Sequence, residues 1–359
     1  MQIGLVGLQF SGKTTLFETL SQGGSHSHSG KDEAAIEVVK VPDTRLDELT
    51  KIFNPKKQVN ATIEVFDIPG LKMSDDNKVK ITTTFLTAVK NNDALFYVIR
   101  AFEDDGVMHP MNSVNVLRDI EFLETEFLFS DMAFLENRLE KIKKDILKSK
   151  DDRLKREMPL IEKCYAHAEK ELPLRSLKLD DNELKLLSGY QLLTLKPLAI
   201  AINFDENSIA DVDSKISELK KKLEKTDAAL IPFFAKIELE LSRMNEEDRL
   251  VFMQDYGIKE SALNKILRTS YELLGLQSFF TVGEDENRAW TIKKNFTAQQ
   301  AAGVIHTDFF NRFIRAEVVH YNDFMKHGSF AKCKDAGSWR LEGKEYIVAD
   351  GDILNIRHN

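Results

Sequence analysis

The eight residues Gly7-Leu8-Gln9-Phe10-Ser11-Gly12-Lys13-Thr14 constrain this chain more than any other stretch. They fit G-x-x-x-x-G-K-[ST], the pattern of a phosphate-cradling loop. An apolar run at residues 3–6 precedes the loop and a helix-compatible run at 14–20 follows it, which is the strand–loop–helix context the pattern requires. Glycine lets the backbone curl, so the N–H groups of Gln9, Phe10, Ser11, Gly12, Lys13, Thr14 and Thr15 and the helix N-terminus can face an anion. In that geometry Lys13 reaches the terminal phosphates of a nucleoside triphosphate. The Thr14 hydroxyl becomes a magnesium ligand. The expectation is a nucleotide site.

A second signal supports the first. A strand-like run at 61–66 leads into Asp67-Ile68-Pro69-Gly70. An acidic residue at a strand end, followed by glycine, suits a second magnesium contact and a sensor of the γ-phosphate. Apolar runs at 94–99, 197–202 and 229–234 read as further buried parallel strands, with helical patterns between them. The fold class expected is therefore a doubly wound α/β sheet of the P-loop type. Gly7, Asp67, Asn203 and Ala235 all fall at strand ends, where such sheets bind ligands.

Two stretches depart from this alternation. From 131 to 195, Met132, Leu135, Leu139, Ile142 and Ile146 recur at helical spacing, and Leu154, Met158, Ile161 and Tyr165 offer a partner. This reads as an inserted helical hairpin turning near Ser149–Lys150, with Pro159 interrupting its second half. From 279 to 359 short strands and turn signals predominate, including a hairpin about Asp350-Gly351-Asp352. The expected domains are thus 1–130 with 196–278, the hairpin 131–195, and a compact module 279–359. A Gly/Ser/His-rich tract at 21–31 reads as a loop.

Base recognition is the next constraint. A guanine-specific site would present N-K-x-D after a late strand, whereas this chain has Asn203-Phe204-Asp205-Glu206. Phe204 takes the place of the lysine over the base, and Glu206 that of the aspartate. Asn can pair with N6 and N7 of adenine, so ATP is expected to bind better than GTP. Leu71 follows the D-x-x-G motif where Ras-type switches keep a water-orienting glutamine. Hydrolysis should be slow.

Composition narrows the partners. A net charge of −8 argues against wholesale coating of nucleic acid, and no DNA specificity is expected. No apolar run approaches a membrane span and no signal peptide is visible at the start. Cys164 and Cys333 stand alone, as thiols in a reducing compartment do. The expected location is the cytoplasm.

Together these residues resemble the YchF-type Obg-like ATPases. The resemblance runs through the P-loop, Asp67-Ile68-Pro69-Gly70-Leu71, residues 99–104, 117–121 and Asn203-x-x-Glu206. It is densest at Arg288-Ala289-Trp290-Thr291-Ile292, 300–309 and 313–318, which look like the family's TGS domain, a β-grasp module. The resemblance implies a magnesium-dependent, ATP-preferring hydrolase that associates with the ribosome or its large subunit, with RNA as a further candidate partner. It maps the family's segment after the last sheet strand onto Ala235 and Lys236, and a loop histidine proposed as catalytic onto His109. Lys13 and His109 are then the candidate catalytic residues. Departures cluster on the γ-phosphate side: Phe10 stands where the family has an Asn, and Ala35 where it has a Thr. A GTPase of the Obg-like class, and a nucleotide-dependent ribosome-binding module with negligible hydrolysis, remain the alternatives.

Overall fold

The structure, a computed structural model, describes residues 1–21, 35–69, 71–73, 79–148, 152–258 and 260–359. The loop expected at 21–31, the acidic stretch after Met73 and the expected hairpin turn at 149–151 fall almost wholly outside these residues. Two units divide the chain: Met1–Glu37 with Glu64–Ile266, and Val38–Ile63 with Leu267–Asn359.

In chain order the strands are β1 (Gln2–Val6), β2 (Ala35–Lys40), β3 (Lys57–Val59), β4 (Thr62–Asp67), the short pair β5 (Lys72–Met73) and β6 (Val79–Lys80), β7 (Ala94–Arg100), β8 (Leu198–Asn203) and β9 (Ala229–Phe233). Those of the later part are β10 (Leu276–Thr281), β11 (Glu286–Lys293), β12 (Phe313–His320), β13 (Arg340–Glu342) and β14 (Asp352–His358). The first helices are α1 (Lys13–Leu20), α2 (Thr44–Phe53), α3 (Thr83–Lys90), α4 (Val116–Ile146), α5 (Asp152–Ala168), α6 (Asp181–Leu187), α7 (Val212–Lys222) and α8 (Ala235–Arg243).

The first unit carries the expected doubly wound sheet, in the order β2-β4-β1-β7-β8-β9. β1 pairs in parallel with β4 and β7, and β8 with β7 and β9. Every residue of β7 and β8 is buried, which is why both read as continuous apolar runs. Parallel pairing brings the carboxyl ends of β1, β4, β7, β8 and β9 to one edge: Leu5 lies opposite Asp67, and Arg100 opposite Asn203.

The helical insertion is rooted deeper than expected. α4 begins at Val116, so its first half belongs to the nucleotide-binding core through Ile120, Leu123 and Phe127. Its second half packs Leu135, Leu139 and Ile142 against Leu160, Ile161 and Cys164 of α5. Two buried polar joints fix the helix where one core gives way to the other. Glu124 accepts from the Tyr97 hydroxyl at 2.7 Å and from Arg175 Nη1 at 2.5 Å. Asp131, 1% exposed, accepts from the N–H groups of Leu193 (2.8 Å) and Thr194 (2.7 Å) and from the Thr194 hydroxyl. Burial pushes the Asp131 carboxyl up to about 6 against the pull of those donors.

The second unit overturns the expected boundaries. Its mixed sheet runs β13-β12-β14-β10-β11-β3, so a strand lying between two nucleotide-site motifs completes the C-terminal sheet. α2 travels with it. Asp43 caps this helix, and Arg45 donates both to Asp43 and to Asp350. Phe53 stacks on Phe324 at 5.3 Å between ring centroids and lies 5.8 Å from Phe330. Residues 38–63 were expected in the nucleotide-binding domain because they sit between its motifs; aromatic packing and strand pairing assign them to the other unit. The hairpin expected about Gly351 is also different. Only β14 forms, because the preceding stretch bridges to Thr297 and bonds its backbone to Phe296 and Ala298, while the buried Asp352 carboxylate accepts from the Ala349 N–H and the Tyr346 hydroxyl.

A fragment of residues 267–359 lacks α2 and β3, and would expose Phe324, Phe280 and the β11 edge. It should give a collapsed, poorly dispersed amide NMR spectrum, whereas a single chain joining 38–63 to 267–359 should be folded. A well-dispersed spectrum for the shorter fragment would contradict this dependence.

Candidate functional site

The P-loop turns between β1 and α1 through two left-handed residues, Phe10 (φ 63°) and Gly12 (φ 90°). Such a conformation costs a non-glycine residue about 1 kcal/mol or more, and the Phe10 ring is left 58% exposed at the lip. Gly12 has a steric reason as well. A Cβ there would stand 2.2 Å from Asn203 Nδ2. Residues 8–15 line a groove of about 350 Å³, at the N-terminus of α1 where free N–H groups favour an anion.

Lys13 is buried and forms an ion pair with Asp67, at the end of β4. Burial draws its ammonium down to about 7. The Thr14 hydroxyl donates to the other Asp67 oxygen at 3.2 Å. The P-loop and the D-x-x-G motif therefore meet through side chains. Leu71 follows directly: it is 2% exposed, bridges to Leu8, and packs in the core with Ile68 and Phe85. It has no polar atom to offer a water.

On the side expected to read the base, the structure gathers some candidates and disperses others. Asn203 is 2% exposed and spans two loops, its Nδ2 donating to the Ser11 carbonyl at 3.1 Å and its Oδ1 accepting from the Ala235 N–H at 3.0 Å. The amide expected to face adenine also braces the P-loop against the start of α8, with one N–H and one oxygen lone pair beyond these two bonds. Phe204 is turned inward, 6% exposed, with its ring 6.3 Å from that of Phe234; its side chain offers no face to a base. Glu206 and Lys236 stay at the surface, 49% and 77% exposed, with their charges 3.8 Å apart.

His109 was expected on a mobile loop and is instead buried, 6% exposed. Its Nε2 lies 3.0 Å from Asp119 Oδ2, and its Nδ1 accepts from the Met111 N–H at 3.1 Å. That pairing defines the neutral tautomer protonated on Nε2. Burial lowers the imidazole pKa below its ordinary value, helped by Arg118 and Arg100 and opposed by Asp119. Arg118 binds the second Asp119 oxygen and reaches the Met111 and Ser113 carbonyls, so the loop is stapled to the first turn of α4. In the sequence, Arg118 and Asp119 stand out only through the family resemblance. The signal that could have singled them out is an Arg-Asp pair just inside a helix start, following a loop histidine.

Sheet order, P-loop and the Lys13–Asp67 pair together define a P-loop nucleotide-binding protein. Residues 2–138 match the family described as "50S ribosome-binding GTPase", and residues 276–359 match YchF-GTPase_C, described as "Protein of unknown function (DUF933)". The "Ribosome-binding ATPase YchF" of Bacillus subtilis is 37% identical over 99% of this chain and 98% of its own length. That of Pasteurella multocida is 38% identical at the same coverage. The solved structure of the Schizosaccharomyces pombe YchF GTPase superposes with a TM-score of 0.87 at 32% identity, covering 99% of this chain and 97% of that one. The chain belongs to the YchF family.

Gly12→Ala should both strain the left-handed turn and displace Asn203. Calorimetric titration with a non-hydrolysable ATP analogue should show affinity reduced at least about tenfold, or ~1.4 kcal/mol. Unchanged affinity would mean that the Asn203 brace is not needed for the phosphate cradle.

Proposed function

We propose that this protein is a magnesium-dependent ATPase that prefers ATP to GTP, turns over slowly, and acts in the cytoplasm as a ribosome-associated regulatory factor. The observation that carries the reading is the convergence of Lys13, Thr14 and Asp67 at the mouth of the P-loop. Backbone N–H groups of the loop cradle the phosphates, and Lys13 exchanges Asp67 for a phosphate oxygen. Thr14 and Asp67 offer hard oxygen donors of the kind magnesium takes. They would hold the ion, which when bound neutralises charge on the β- and γ-phosphates.

The preference for ATP is supported by what the base side lacks. No lysine stands at 204, and the phenylalanine there faces the core. Glu206, half exposed and one methylene longer than the aspartate of a guanine clamp, can meet a different donor pattern. The bacterial relatives carry the name ATPase, while the fission-yeast structure is named a GTPase. The names of the bacterial relatives support ribosome binding. Among the described residues no helix is long and apolar enough to cross a membrane.

Slow turnover follows from Leu71 and from the engaged state of His109. The remaining candidate for proton transfer is His109 itself, once freed from Asp119 and Met111. The same two observations favour a second reading, a nucleotide-dependent ribosome-binding module with negligible hydrolysis.

Calorimetry with ATP and GTP analogues should give tighter binding of the adenine nucleotide, and tighter guanine binding would refute the base assignment. In single-turnover assays Lys13→Ala should abolish hydrolysis. A rate unaffected by that substitution would show that the wild-type activity is contamination and would leave the binding-module reading standing.

A further inference from the structure

We infer that Asp119, in the first turn of α4, is a positioning residue that holds His109 out of the reaction. The inference rests on the reading that His109 serves the hydrolysis. Both ring nitrogens are occupied: Nε2 by the Asp119 carboxylate at 3.0 Å, and Nδ1 by the Met111 N–H at 3.1 Å. In a working His–carboxylate dyad one nitrogen is tied to the acid and the other faces the reacting group. Here the second nitrogen faces the backbone. The ring must therefore leave this position before it can accept a proton from water.

Asp119 is itself held in place. It is 1% exposed, and Arg118 donates Nε and Nη2 to its Oδ1 at 3.0 and 2.8 Å. The same guanidinium reaches the Ser113 hydroxyl and carbonyl. The catch is thus a closed set of bonds between residues 109–113 and the start of α4.

The test uses the full chain without ribosomes and compares wild type, Asp119→Asn and Asp119→Ala. The isosteric asparagine variant preserves the packing if the alanine variant does not fold. Two quantities are read: steady-state ATP turnover, and the rate at which diethyl pyrocarbonate modifies His109, followed by peptide mass spectrometry. We expect faster modification and a kcat at least about fivefold higher with KM unchanged, well within what a general base supplies. The rise in kcat should vanish in the Asp119→Asn/His109→Gln double variant. An unchanged modification rate would overturn the catch itself. Faster modification with unchanged kcat would instead overturn the role of His109 in hydrolysis, and with it the purpose of the catch. A fall in kcat with Asp119→Asn would mean that Asp119 supports His109 as a dyad, the opposite of this inference.

Discussion

One ion pair organises the nucleotide site: Lys13 at the start of α1 against Asp67 at the end of β4. Each side chain is nearly or largely buried, and removing one partner of such a pair typically costs about 3–5 kcal/mol because the other is left uncompensated. The pair is also a bond between the two motifs that must cooperate on a triphosphate. It keeps a cation and an anion facing each other until a ligand offers each a better partner. Phosphate oxygens suit the ammonium, and a divalent cation suits the carboxylate. The two motifs are therefore already joined by this pair, and in the proposed function loading the site would be an exchange of partners.

The elements around that pair are anchored from several sides. β4, which ends in Asp67, follows a segment whose helix and strand belong to the second unit through Arg45, Phe53 and the β3–β11 pairing. The P-loop, in turn, is braced from beneath by Asn203, whose amide joins Ser11 to Ala235. α4 carries the third connection, from the His109 loop to the helical insertion. Within the first unit a few buried polar contacts thus join the P-loop, the start of α8, the His109 loop and the helical insertion.

Much of this was legible in the sequence because it rests on local rules. The P-loop glycines, the apolar runs of β7 and β8 and the helical periodicity of 131–146 each report a short-range geometry, and each appears where expected. What escaped was long-range. Nothing local in residues 38–63 says that Phe53 will stack on Phe324, or that β3 will extend a sheet whose other strands begin more than two hundred residues later. Asn203 shows something the sequence did not announce: its residue type suits a base edge, and its amide also spends one N–H on Ser11 and one lone pair on Ala235. Phe204 occupies the expected position in the chain, yet the strand alternation at the end of β8 turns it toward Phe234. His109 likewise sits in a loop by sequence and in a buried ion-pair network by structure, because Asp119 and Arg118 come to it from α4.

The exchange of partners at Lys13 and Asp67 is tested most directly by measuring the affinity of a non-hydrolysable ATP analogue with and without magnesium, in wild type and in Asp67→Asn. Strong coupling is expected in the wild type, with weak binding of the metal-free nucleotide because Asp67 retains Lys13 and opposes the phosphates. In Asp67→Asn, metal-free binding should tighten by about tenfold while the benefit of magnesium largely disappears. Equal affinities with and without magnesium in the wild type, or an Asp67→Asn variant that weakens metal-free and magnesium-supported binding alike, would contradict the exchange.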